Sequence, residues 1–253
     1  MTRGQAVEAT MAGRSRTVYP VRLLIVYYSR FGAIETLANR VAEGAQQVEG
    51  TEVRLLPVDD SFPETGGAVK DGGAAVARRA ALLNQMVSSD AIVVGSPGYF
   101  GSMASSVKRL FEECATSAFQ PGTDKSRPWR QHLFRNKVGA AFTATATPHG
   151  GNEQTLHSIL TMFMHLGMIV VTPGQQQPIL ENDSAPYGAT TTTGPTGDRT
   201  PSDSEQDAAR SLGHQVAEVA VWLRLGQARS PGATPGSKGS GERIPKPGDS
   251  AKP

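Results

Sequence analysis

The chain has 253 residues, 38% of them hydrophobic, with 28 Gly, 17 Pro and a formal net charge of +2. That length suits one ordinary domain with loose ends, and the single cysteine, Cys114, excludes an internal disulfide framework and fits a reducing compartment. No stretch approaches the length of a bilayer span, and the N-terminus lacks the apolar run of a secretory signal, so a cytoplasmic protein with no membrane partner is expected.

In chain order, residues 1–20 come first; without apolar periodicity, they read as a disordered tail. Leu23–Tyr28 is an apolar run with no polar alternation, the pattern of a central parallel strand. It stops at Ser29, and Ile34, Leu37, Val41, Ala45 and Val48 then recur at the spacing of one helix face, which starts a helix near Ala33. Val53–Val58 is a second strand, a Gly-rich connection leads to a helix at about 74–87, and Ala91–Gly95 is a third, buried strand. A helix over Met103–Ala115 puts Cys114 on the apolar face of Met103, Val107, Leu110 and Phe111, the place of a packing thiol rather than a nucleophile. Val138–Thr145 is the fourth strand; the next helix carries Leu156, Ile159, Leu160 and Phe163 on one face, and Met168–Thr172 is the fifth strand. Residues 173–200 form a long irregular stretch in which the Tyr187-Gly188 turn and the Thr190–Thr193 run fit a lid or a subunit-contact strip. Pro201 and the capping box Ser202-x-x-Glu205 announce a last helix bearing Leu212, Val216, Val219 and Leu223. Residues 227–253, rich in Gly, Pro and Ser, read as a second, basic tail. The two tails together carry +5, so the domain at 21–226 carries about −3. It has no basic helix, aromatic RNA platform or zinc motif, and no nucleic-acid partner is expected. No HxxxH pair or His–Cys cluster suggests a metal site.

Five strands alternating with helices define an α/β fold, a doubly wound parallel sheet with helices on both faces. Ligands in that architecture sit at the carboxyl ends of the strands. The loops there are 29–34 (SRFGAI), 96–103 (SPGYFGSM) and 143–151 (TATATPHGG). The first joins a buried strand to a helix N-terminus, where unpaired amides and the helix dipole favour an anion, and Ser29 and Thr36 add hydroxyl donors. It has neither the Gly-Lys-Ser/Thr ending of an ATP loop nor the three spaced glycines of a dinucleotide loop. The second loop offers an aromatic pair between glycines, and the third is rich in hydroxyls. Close backbone approach, amide and hydroxyl donors and aromatic surface together suit a flavin mononucleotide.

Over residues 21–226 the motifs YYSRFGAIETLA, AIVVGSPGYFGSM, ATPHGGNEQT, MHLGMIVV and PYGATTTTGPTGDRTPS resemble the WrbA-type NAD(P)H:quinone oxidoreductases, flavodoxin-like FMN enzymes. The resemblance implies a five-stranded sheet in the order 2-1-3-4-5 and a homo-oligomer, dimer to tetramer. It implies that Ser29, Arg30, Phe31, Gly32, Ala33 and Ile34 wrap the FMN phosphate and that Gly98, Tyr99 and Phe100 run beside the ring. Ala144, Thr145, Ala146, Thr147, Pro148, His149 and Gly150 would form the third flavin loop, and His165 would approach the flavin with a polar or proton-handling role. By the same resemblance, Phe31 would stand where the family often has a tyrosine near the nicotinamide, and Trp129 would match the family's tryptophan of the quinone pocket. From the residues alone, His165 could also interact with the carbonyls ending its helix, and Trp129 could be an anchor for surface packing. The implied reaction is ping-pong, NADH or NADPH giving a hydride to FMN and a quinone then taking two electrons. The alternatives within the fold are a flavodoxin, a one-electron carrier usually more acidic than this domain, and a signalling module, which needs an acidic cluster at the strand ends.

Overall fold

The computed structural model describes residues 7–9, 16–18, 20–58, 73–117, 133–175 and 184–229. The apolar run after residue 20 forms β3 (Val21–Tyr27), whose alternating side chains feed both faces of the sheet. Leu23, Ile25 and Tyr27 enter one core, and Leu24 and Val26, with Tyr28 just beyond the strand, enter the other. A strand buried on both sides has no polar face, which is why its sequence shows no alternation. Around it lie β4 (Thr51–Pro57), β5 (Ala91–Tyr99), β7 (Val138–Thr145) and β8 (Ile169–Val170), all parallel, in the order β4-β3-β5-β7-β8. Counted as five main strands, this is the expected 2-1-3-4-5.

The helices divide between the faces. α1 (Ala33–Gln46) and α5 (Asp203–Arg229) cover one core, while α2 (Gly73–Ser88), α3 (Ser105–Ser117) and α4 (Asn152–His165) cover the other. α5 begins on the capping box read from the sequence: the Ser202 N–H donates to Glu205 Oε2 (2.7 Å) and the Glu205 N–H to Ser202 Oγ (3.3 Å). α1 and α5 cross closely through two glycines. A Cβ on Gly44 would fall 1.8 Å from the Arg210 carbonyl oxygen, and one on Gly213 would fall 2.0 Å from that of Val41. Beside the crossing, Glu43 accepts from Arg40 (2.7 Å) and from Arg210 (3.3 Å).

Four features depart from the sequence reading. Val7–Ala9 (β1) and Arg16–Val18 (β2) pair antiparallel as a separate two-stranded ladder within the expected N-terminal tail. Met103 does not open a helix; Ser102–Met103 forms β6, which folds back antiparallel on Gly98 and Tyr99. The cause is the two-residue turn Phe100-Gly101, with φ of 53° and 74°. The fifth strand is shorter than expected and is completed by a distant segment. β8 pairs with the start of β7, and Ala189–Thr192 (β9) pairs in parallel with Phe142–Thr145 at its end. The threonine run is therefore a sheet strand rather than a lid: Thr190 and Thr191 are buried, and Tyr187 packs its ring 4.2 Å from that of His157 on α4. β-branched side chains suit a half-covered strand.

Candidate flavin site

Every main strand runs the same way, so the loops at their carboxyl ends share one edge of the sheet. There they enclose a cleft of about 230 Å³. Its first wall is Ser29, Arg30, Phe31, Ala33 and Ile34. Gly32 caps α1 with φ 96°, a conformation that suits glycine. Ser29 Oγ accepts from the N–H groups of Gly32 and Glu35, both at 3.2 Å. The amides of Ala33 and Ile34, in the first turn, have no intrahelical partner to satisfy them and stand at the positive end of the dipole. Thr36 takes no part: its hydroxyl donates to the Gly32 carbonyl (3.1 Å), which removes it from the donors expected for an anion.

Pro97, Gly98 and Tyr99 form the second wall. A Cβ on Gly98 would lie 2.5 Å from Thr155 Oγ1 and 2.6 Å from Thr145 Cγ2, so only glycine lets this strand end sit so low. Phe100 does not line the cleft. It projects fully exposed from the turn beside it, at a positive φ that is uncommon for a bulky residue. The third wall is Ala144, Thr145 and Ala146. The Thr145 hydroxyl donates to the Thr147 carbonyl (2.8 Å) and sits 2.9 Å from Asn152 Oδ1, tying the loop to the start of α4. Thr147, Pro148, His149 and Gly150 curl outward as an exposed turn closed by Gly150 N–H to Thr147 carbonyl (2.9 Å).

A fourth wall, Thr193–Gly197, lies in the stretch 173–200 read as a lid or contact strip but was not among the residues expected at the flavin. It follows β9 and is pinned by the Thr193 N–H to the Thr145 carbonyl (2.8 Å). Arg199 braces it from behind through Glu205 (3.0 Å). The available signal was the Gly194-x-x-Gly197 turn directly after a threonine run, legible only once that run is known to be a strand. The Phe31 ring crosses the cleft mouth to this wall, where a Cβ on Gly197 would be 2.9 Å from Phe31 Cδ2.

His165, expected near the flavin, is not brought into this cleft. It is exposed in the last turn of α4, 14 residues or about 20 Å of helix from its start. Ile169, a few residues on, pairs with Val138 at the opposite end of β7 from Ala144. Within one chain, His165 belongs to the far edge of the sheet. Trp129, expected in the quinone pocket, lies outside the described residues. Among the described residues no group of His, Cys, Asp and Glu could hold a metal ion, and no helix is long and apolar enough to cross a membrane.

The donor set fits FMN: free helix-N-terminal amides for a phosphate, a low glycine floor for a flat ring, and no carboxylate side chain in the lining. The family model of the NADPH-dependent FMN reductases matches residues 27–177. An NAD(P)H dehydrogenase (quinone) of Chromohalobacter salexigens is 39% identical over 211 residues, covering 80% of this chain and 98% of the relative. Another, from Paracoccus denitrificans, is 36% identical over 217 residues, covering 82% and 97%. The crystal structure of a WrbA-like flavodoxin from Agrobacterium tumefaciens superposes with a TM-score of 0.53 at 23% identity, over 80% of this chain and 98% of that one. With this sequence likeness running nearly the full length of its relatives, the chain belongs to the WrbA-type NAD(P)H:quinone oxidoreductases, flavodoxin-fold members of the FMN reductase family.

Proposed function

We infer that the protein reduces quinones with NADH or NADPH through FMN held in this cleft. The observation that carries the reading is the convergence of four strand-end loops on a helix N-terminus whose Ala33 and Ile34 amides have no intrahelical partner. FMN held there would supply the two-electron chemistry that links a nicotinamide hydride donor to a quinone, which takes up two electrons and two protons to become the hydroquinone. The chain's residues bind, orient and shelter. The Ala33 and Ile34 amides hold the phosphate, Gly98 and Ala144–Ala146 let the ring lie close to backbone, and Phe31 with Thr193–Gly197 closes the outer side. Phe100, Thr147, Pro148, His149 and Gly150 extend the rim, and Trp129 is assigned to the quinone wall on the resemblance alone.

Since His165 lies at the far edge of its own sheet, any contact it makes with a flavin comes from a second copy. We therefore assign the protein to a homo-oligomer in which one chain's α4 end completes another chain's cleft. We place the working domain at 21–229, since α5 runs on to Arg229. The quinone is a small-molecule substrate, and the site is taken to operate in the cytoplasm.

The test is an absorbance titration of the purified protein with FMN and riboflavin, followed by NAD(P)H oxidation with benzoquinone. FMN is expected to bind far more tightly than riboflavin, and turnover to require the quinone. Equal affinity for the two flavins would sink the phosphate cradle. In the same assay Trp129→Ala should raise the quinone KM roughly threefold to tenfold with flavin retained, the loss of one aromatic stacking partner; an unchanged KM removes Trp129 from the site.

A further inference from the structure

We propose that the Arg30 side chain is the cleft's recognition group for a phosphate of the electron-donor dinucleotide, while the backbone of the same loop holds FMN. The proposal rests on the FMN reading above. Arg30 is exposed, and its guanidinium carbon lies 5.7 Å from the centroid of the Phe31 ring. That ring is itself seated on Gly197 across the mouth, so the cation is carried on a supported aromatic plate at the outer side of the cleft.

Charge singles out this arginine. No Asp or Glu lines the cleft, and no carboxylate among the described residues pairs with Arg30. Arg199, the other arginine behind this wall, is already bonded to Glu205 and to the Thr192 carbonyl. The phosphate of FMN has the first-turn amides of α1, which leaves the guanidinium available. The two substrates that share the cleft differ in just this respect: a quinone is neutral, whereas the donor carries a diphosphate and, in NADPH, a 2′-phosphate. A guanidinium offers a planar fork of N–H donors that matches phosphate oxygens two at a time. The group is therefore placed to favour donor over acceptor.

The experiment uses FMN-loaded protein and calorimetric titration with NAD⁺ and NADP⁺, for the wild type, Arg30→Met and Arg30→Lys. FMN affinity and quinone KM are measured alongside. Arg30→Met is expected to weaken dinucleotide binding roughly tenfold to a hundredfold, the loss of a charge-assisted contact, with Arg30→Lys recovering part of it. A loss confined to NADP⁺ assigns the guanidinium to the 2′-phosphate, and an equal loss for both assigns it to the diphosphate; either supports the proposal. Unchanged dinucleotide affinity overturns it, as does an FMN affinity that falls in step, which would return the guanidinium to the cofactor phosphate. If instead the wild type takes up no FMN, the underlying reading fails rather than this one.

Discussion

Phe100 occupies a backbone conformation that asparagine or glycine would adopt more easily. It stands at φ 53° in a two-residue turn with Gly101, and its ring is fully exposed beside the cleft. A left-handed conformation costs a residue with a Cβ roughly 1–2 kcal/mol, and nothing the ring touches in the free protein offsets it. Phe100→Asn should therefore raise the melting temperature of the flavin-free protein and weaken FMN binding about threefold to tenfold, the value of a lost aromatic contact. Flavin affinity equal to wild type would show that the ring has no part in the site. Lys137 makes a separate case. Half-buried at the start of β7, it donates to the Val87 carbonyl (2.7 Å) and to that of Ser89. Burial pushes its ammonium down to about 8 from 10.5, partly countered by Asp90. Between about pH 8 and 10.5 the unfolded chain then holds more protons than the folded one, so this lysine's cost to stability is full below pH 8 and fades as pH rises to 10.5. The melting temperature of wild type relative to Lys137→Met is expected to climb across that window. A flat difference would mean that the carbonyl contacts keep the ammonium charged.

At the scale of elements, the pair α1–α5 sets the geometry of the cleft from behind. α1 presents the phosphate amides, and α5 starts at the capping box that holds Arg199 and, through it, the fourth wall. The helices approach until backbone meets backbone at Gly44 and Gly213. Gly213→Ala would drive a methyl into the Val41 carbonyl, which cannot yield without separating the helices. The expected loss is about 1–3 kcal/mol, a fall of roughly 2–12 °C in melting temperature for a domain of this size. Weaker FMN retention should accompany it, as the first and fourth walls part. A stable variant that binds FMN normally would show that the crossing relaxes without moving the site.

For the whole molecule, the arrangement of a cleft at one sheet edge and His165 at the other makes assembly part of the functional proposal. Met164 and Ile169 flank His165 with 60% and 37% of their surfaces exposed. Burying apolar side chains of this kind against a second copy would stabilise the contact, and a charge there would oppose it. Met164→Glu is expected to shift the protein toward smaller species in sedimentation and to loosen FMN in parallel. If the assembly dissociates and FMN affinity is unchanged, each cleft is complete within one chain and His165 has no flavin contact.

The succession of strands and helices was readable locally. Runs such as Leu23–Tyr28 and Val138–Thr145 are buried on both faces, α1 shows its face at Ile34, Leu37 and Val41, and the Ser202–Glu205 box marks the start of α5. Three walls of the cleft follow from that succession, since loops after parallel strands must meet at one edge. Tertiary structure alone decided the rest, because the deciding partners are distant in sequence. Ala189–Thr192 is a strand only because β8 stops early and leaves the end of β7 unpaired. Thr193–Gly197 becomes a wall, and Gly197 a seat for Phe31, only through that pairing. The length and direction of α4 carry His165 away from a cleft that its motif had implied it would join. Periodicity and turn chemistry act over a few residues, whereas register and close approach depend on which segments the folded sheet brings side by side.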